Sequence, residues 1–309
     1  MEQLTLPQLA ELWLDGAAAS EEDLRAAKGI AARLPGFEGL KPFPVVVQRL
    51  VEYVSKPDFG LDQVRKLIES DPALAARIMR VANSAAYRAY EACTSIGGAV
   101  TRIGAKGVVE LAMAMAAMGI FKDLGGVGAK LRDHSAGTAA IGRELAFRLL
   151  PSNPASKLFL AGLLHDIGKL LLIQAKDQGY VALISAEPAP GPLLQKERDY
   201  LGFDHAQLGA HVLRTWNLPE PIPQIIACHH QATTRQATSP VLAQAVDFLR
   251  IADKLDWLID QGAVAESGQL APLLESAEMI RAAITQAQLE RLWDDLIRVR
   301  QEAISMFRS

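Results

Sequence analysis

Apolar positions recur along this chain at intervals of three and four residues, the spacing that lines one face of an α-helix. A first amphipathic segment is expected over about Leu6–Leu14. A second opens at Ser20, where Ser20 and Asp23 make a box-like start, and stops at Pro35-Gly36. Val45–Val54 follows, and then Asp58 is placed to cap a helix whose Leu61, Val64, Leu67 and Ile68 share a face. Asp71 reads as an N-cap with Pro72 as the first helical residue, where the missing N–H costs nothing. That helix runs through Leu74, Ile78 and Val81. Helices over Ile96–Ile103 and Ala105–Phe121 are divided at Gly104.

The glycine-rich stretch Gly125–Gly128 is the best candidate for a boundary. A phosphate loop would need a preceding strand and a Gly-Lys-Ser/Thr ending, and neither is present. Beyond it, Leu131–Leu150 reads as a helix closed by Pro151–Pro154, with Lys157–Leu164 and Lys169–Gln174 on either side of Gly168. Ala186–Pro192 reads as loop. Asp204–Trp216, Pro221–Cys228, Pro240–Asp260 and Leu270–Ala283 read as helices. Gln286–Phe307 is the last, opened by a Thr285/Gln288 capping box. No polar/apolar alternation lasts longer than four residues, so the expected class is all-α.

Composition narrows the function classes. Half of the 309 residues are hydrophobic and 22% are charged, which suits packed cores. A net charge of −3 with scattered basic residues gives no field to attract nucleic acid. The apolar run Leu111–Phe121 is too short to cross a bilayer, and the acidic start lacks the basic flank of a signal peptide. Two distant cysteines, Cys93 and Cys228, give no disulfide framework. A cytoplasmic protein without membrane or nucleic-acid partners is expected.

Chemistry gathers in the later part of the chain, because all six histidines lie from His134 onward. His165-Asp166 sits between apolar runs in Leu163–Lys169. Burying an ionised aspartate there is costly without hydrogen bonds or a cation, and a divalent metal takes a nitrogen from one residue and an oxygen from the other. Gly168 lets the backbone pass closely, and Lys169 is a group that can reach an anion. His134 stands early in one helix, His205 opens another with Gly209 one turn on, and His229-His230 close a third. Asp253 interrupts the apolar run Ile251–Leu255. His211 is rotated about 240° from His205, so it is expected at the surface or in a structural role. Alternatives stand beside the metal reading: His134 as a satisfied polar residue, and Asp166 as the cap of the helix that follows it.

Several separated motifs occur together in order: Leu40–Pro44, Ile68–Leu74, Arg80–Ala85, Ser95-Ile96 with Ile103-Gly104, and Ala161–Lys169. In these the chain resembles the HDOD domain family, relatives of the HD metal-dependent phosphohydrolases, over roughly residues 30–255. The resemblance implies an N-terminal helical lobe over 1–125 and an HD-like helical lobe with C-terminal helices over 126–309. It implies a regulatory signal-transduction protein of the bacterial kind, with a divalent metal site that need not be catalytic. The alternative is a metal-dependent phosphohydrolase or phosphodiesterase acting on a nucleotide or cyclic dinucleotide.

The later motifs are also similar to the metal pattern of the HD-GYP phosphodiesterases. By that likeness His134, His165, Asp166, His205, His229, His230 and Asp253 are metal ligands, with Asp166 and Lys169 as catalytic groups. One or two ions are implied, iron or manganese suiting mixed nitrogen and oxygen ligation. After His229-His230, however, Gln231-Ala232-Thr233 stands where those enzymes carry an acid and then a Gly-Tyr-Pro signature. The partner implied is a signalling protein or a small phosphorylated ligand, with a homodimer open through the long terminal helices. No helix-turn-helix or receiver pattern is read in the sequence.

Overall fold

The computed structural model describes residues 25, 26, 28–30, 32, 45–54, 56, 58–84, 87, 91–120, 126–150, 155–175, 177–186, 190–216, 218, 220–230, 239–265 and 268–308. Among these residues there is no strand, so the chain is all-α. The segments expected at Leu6–Leu14 and Ser20–Asp23, and the turns at Pro35-Gly36, Pro151–Pro154 and Gln231–Thr233, lie outside the described residues.

Two compact units are each assembled from non-contiguous chain. One comprises Met1–Lys41, Phe121–Leu131 and Leu164–Val246; the other comprises Pro42–Ile120, Arg132–Leu163 and Asp247–Ser309.

In the second unit, α1 (Val45–Val54), α2 (Leu61–Glu69), α3 (Pro72–Asn83), α4 (Ile96–Ile103) and α5 (Ala105–Ile120) pack on one another. Their apolar faces bring Leu50, Val64, Ile68, Ile78 and Val108 to full burial. Asp71 accepts a hydrogen bond from the Leu74 N–H at 3.0 Å, as its position before Pro72 predicts. Asp58 does not cap α2. Gly60 takes the N-cap position, with no side-chain bond, so the cap lies two residues further on. Gly104, at φ 84°, turns the chain between α4 and α5.

The same unit holds most of α6 (Val127–Leu149) and the latter half of α13 (Pro240–Asp260). These helices meet at Gly137, where a Cβ would lie 1.7 Å from Asp256 Oδ1, and at Gly142, where it would lie 3.3 Å from Ala252 Cβ. Leu270–Ala283, expected as one helix, is a 3₁₀ turn at Gly268–Leu270 followed by α14 (Ala271–Leu274) and α15 (Ala277–Ala282). Ala283 stops the last of these at φ 53°. The Thr285/Gln288 capping box then opens α16 (Gln286–Arg308), with the Thr285 N–H donating to Gln288 Oε1 at 2.8 Å.

The first unit holds α8 (Ile167–Gln174), α9 (Gln178–Ala186), α10 (Pro190–Leu201), α11 (His205–Thr215) and α12 (Ile222–Cys228). Before α8, α7 (Ala155–Leu164) ends at the His165-Asp166 turn. Helices α9 and α10 do not follow from the sequence pattern, and they take in both ends of the stretch expected as loop, Ala186 and residues 190–192. Only 187–189, the centre of that loop, falls outside the described residues. No helix among the described residues is long and apolar enough to cross a membrane.

Candidate metal centre

Two glycines set the site of the first unit. A Cβ on Gly168, in the first turn of α8, would lie 2.0 Å from the His205 carbonyl oxygen. A Cβ on Gly209 would meet Ile167 Cγ2 at 3.0 Å and the Gly168 nitrogen at 3.3 Å. With no side chain at either place, α8 and α11 touch backbone to backbone. The contact falls beside Asp166, at the head of α8, and His205, at the head of α11. Asp166 makes no side-chain cap bond, so the capping alternative fails.

α11 is fixed at that end by its own capping box. The Gln207 N–H donates to Asp204 Oδ1 at 3.0 Å, and the Asp204 N–H donates to Gln207 Oε1 at 3.1 Å. α12 packs along α11 and brings in His229 and His230.

Four side chains converge. Asp166, His205, His229 and His230 each present one ligand atom, and these atoms all lie within 4.8 Å of one another. Asp166, His205 and His229 are each only 1% exposed. His205 Nε2 is 3.2 Å from His230 Nε2 and 3.2 Å from Asp166 Oδ1. That carboxylate oxygen is buried and has its closest polar approach from this imidazole.

The outer nitrogens decide which face of each ring points inward. His205 Nδ1 lies 2.7 Å from Glu197 Oε2, so it carries the hydrogen and Nε2 turns to the centre. His229 Nδ1 donates to the Ile226 carbonyl at 2.6 Å and leaves its Nε2 likewise. Burial, then the charges of His165 and His205, push the His229 pKa well below its ordinary value; burial, then His229 and His205, does the same to His230. Neutral imidazoles are what a cation needs. Burial opposes ionisation of Asp166, but His165, Lys169 and His205 outweigh it and hold the carboxyl well below its usual range. For His205, burial opposes the charge and the adjacent Glu197 and Asp166 carboxylates prevail, raising its pKa to about 9. A cation among the four residues would bring the positive charge that this proton otherwise supplies. Three nitrogens and an oxygen, converging from three buried residues and the half-buried His230, thus fit a divalent metal.

His165 and Lys169 border the cluster. The His165 ring stands edge-on to His229 at 5.3 Å, with Nε2 3.5 Å from Asp166 Oδ2. Lys169 Nζ donates to the same oxygen at 2.8 Å. The other expected ligands, His134 and Asp253, belong to the second unit and face each other, His134 Nε2 to Asp253 Oδ1, at 3.0 Å. His134 Nδ1 also meets Asp256 Oδ2 at 2.6 Å. Burial opposes its charge, but the two carboxylates raise its pKa to about 10. His211 is buried rather than at the surface, and lies outside the cluster.

Three further residues escaped the sequence reading. Glu197 is fully buried, and the Tyr180 hydroxyl donates to its Oε1 at 2.7 Å. A signal existed: Leu193, Glu197 and Leu201 repeat every fourth residue, so an acid stands on a buried stripe. Asp256, three residues after Asp253 on the same face of α13, carries the same signal. It also accepts from Arg300 Nε at 2.8 Å.

Comparison with known proteins agrees with this architecture. The HDOD domain model matches residues 40–232. An uncharacterized protein of Treponema pallidum (strain Nichols) is 28% identical over 209 residues, 67% of this chain but 40% of that protein, so the chain matches less than half the length of its relative. A crystal structure of an HDOD domain protein of unknown function from Geobacter sulfurreducens is similar at 25% identity. It has a TM-score of 0.69, covering 90% of this chain and 97% of the other. A provisionally assigned phosphohydrolase from Shewanella amazonensis SB2B shares the fold at 22% identity and a TM-score of 0.70, covering 90% and 98%.

Proposed function

The chain belongs to the HDOD domain family, and on that footing we propose that it is a regulatory signal-transduction protein whose buried imidazole–carboxylate centre holds a divalent cation. The observation that carries this reading is the convergence of Asp166, His205, His229 and His230, with the ring nitrogens of His205 and His229 turned inward by their outer hydrogen bonds. Iron or manganese suits such a mixed set of donors. The burial of Asp166, His205 and His229 favours a structural or sensing use, because a catalytic metal site keeps one position open to solvent or substrate. Lys169 is likewise committed, its ammonium held on Asp166 in a buried ion pair. The output then passes to a partner signalling protein.

One observation favours the second reading, a metal-dependent phosphohydrolase. A lysine beside a ligand carboxylate is where charge developing on a phosphoryl oxygen can be offset, and a bound metal would supply an activated water. Elemental analysis of the purified protein, followed by incubation with a phosphodiester in Mn²⁺ or Fe²⁺, separates the two. Bound metal with no turnover is expected, and His205→Ala should strip it. Turnover that His205→Ala abolishes would establish the hydrolase instead, and a metal-free protein that takes up no Mn²⁺ or Fe²⁺ would remove the centre altogether. A second equivalent of metal would assign a further ion to His134 and Asp253.

A further inference from the structure

Resting on the metal reading, we infer that Glu197 is a positioning residue for the centre: it fixes the tautomer and the aim of His205, and Tyr180 holds Glu197 in place. One carboxylate oxygen, Oε2, accepts from both the backbone N–H and the Nδ1 of His205, at 3.1 and 2.7 Å. Two bonds from one residue to one oxygen lock the imidazole against rotation about both of its side-chain torsions. The other oxygen accepts the Tyr180 hydroxyl at 2.7 Å, so the carboxylate cannot swing away. Glu197 and Tyr180 are both 0% exposed, and water does not compete for these bonds.

At this point of α10 the buried acid accepts three hydrogen bonds, two of them from His205. Its neighbours on the stripe are Leu193 and Leu201, and a leucine would pack there at less cost than a charge. Through His205 the charge keeps a hydrogen firmly on the outer nitrogen and so presents Nε2 inward. A carboxylate in that position makes the imidazole a stronger donor to a metal and sets its orientation.

His134 carries the same device in the other unit. Its Nδ1 meets Asp256, which Arg300 anchors as Tyr180 anchors Glu197. Two candidate ligand histidines are thus each backed by a buried, anchored carboxylate.

The test separates this inference from the metal reading. In metal-free wild-type protein, long-range ¹H–¹⁵N spectra should show a slowly exchanging ring hydrogen on His205 Nδ1, whether or not Nε2 also carries one. Finding that hydrogen on Nε2 alone would overturn the inference whether or not metal binds. Mn²⁺ titration of wild type, Glu197→Gln, Glu197→Leu and Tyr180→Phe gives the second readout. Glu197→Leu should weaken binding by about 10- to 100-fold. Glu197→Gln keeps an acceptor for Nδ1 and should recover part of that loss, and Tyr180→Phe should weaken binding less than the leucine variant does. Folded Glu197 variants that bind Mn²⁺ as tightly as wild type would sink the inference while leaving the centre standing. Should Glu197→Leu fail to fold, the glutamine variant and the wild-type ring proton still decide. A wild type that binds no metal yet shows the Nδ1 hydrogen would retain the positioning and overturn its purpose.

Discussion

At the scale of single residues, the most demanding position is Gly168. A methyl group there would press on the His205 backbone, which cannot give way as a side-chain tip can. Gly168→Ala should therefore destabilise the protein by about 1–3 kcal/mol and loosen metal binding with it; a urea denaturation series and an Mn²⁺ titration check both. His211 makes a different prediction. Burial, then the Arg214 charge, depress its pKa from 6.5 to about 4, so it folds neutral and must shed a proton to do so at acidic pH. Its contribution is intact above the unfolded value of 6.5 and is lost as pH falls toward 4. That amounts to about 2–3 kcal/mol at the lower end. His211→Gln should flatten this part of the stability profile, and unfolding midpoints across the acid range would show a persisting slope if another group is responsible.

At the scale of elements, α11 depends on how it begins. Asp204 closes the capping box and also accepts Arg198 at 2.9 and 3.1 Å. Asp204→Ala should cost about 1–2 kcal/mol and fray the turn that carries His205. Faster hydrogen exchange at residues 205–208 would be the mark, and an unchanged rate there would count against it. Elements of this kind were readable in advance where cap and stripe agree, as at Asp71-Pro72, Thr285/Gln288 and Pro240–Asp260. They were hidden where local signals conflict. Gln178–Ala186 and Pro190–Leu201 carry weak periodicity beside Pro188, Pro190, Gly191 and Pro192, so packing rather than pattern makes them helices. The centre was half legible for the same reason. Histidines and Asp166 stand out because imidazoles and lone acids are conspicuous among leucines. Glu197, Tyr180 and Asp256 are ordinary residues whose purpose lies in a partner found only through the fold.

At the scale of the whole molecule, the chain leaves and re-enters each unit repeatedly, so neither can be cut out as one segment. Removing residues 247–309 would take Asp253 and Asp256 away from His134 and strip α16 from its unit. Such a truncation should be insoluble or molten, and a cooperative unfolding transition from it would contradict this. Cation binding, in turn, stabilises whatever it folds with. Free metal at a hundredfold excess over Kd should add about 2.7 kcal/mol, and chelation should lower Tm by the corresponding amount. An unchanged melting curve would argue against a centre joined to folding. The crossing at Gly168 and Gly209 bears also on descent. Because the helices need that bare contact to pack at all, kin that have exchanged every imidazole for something else should still carry the two glycines, as a scar of the site outlasting its use.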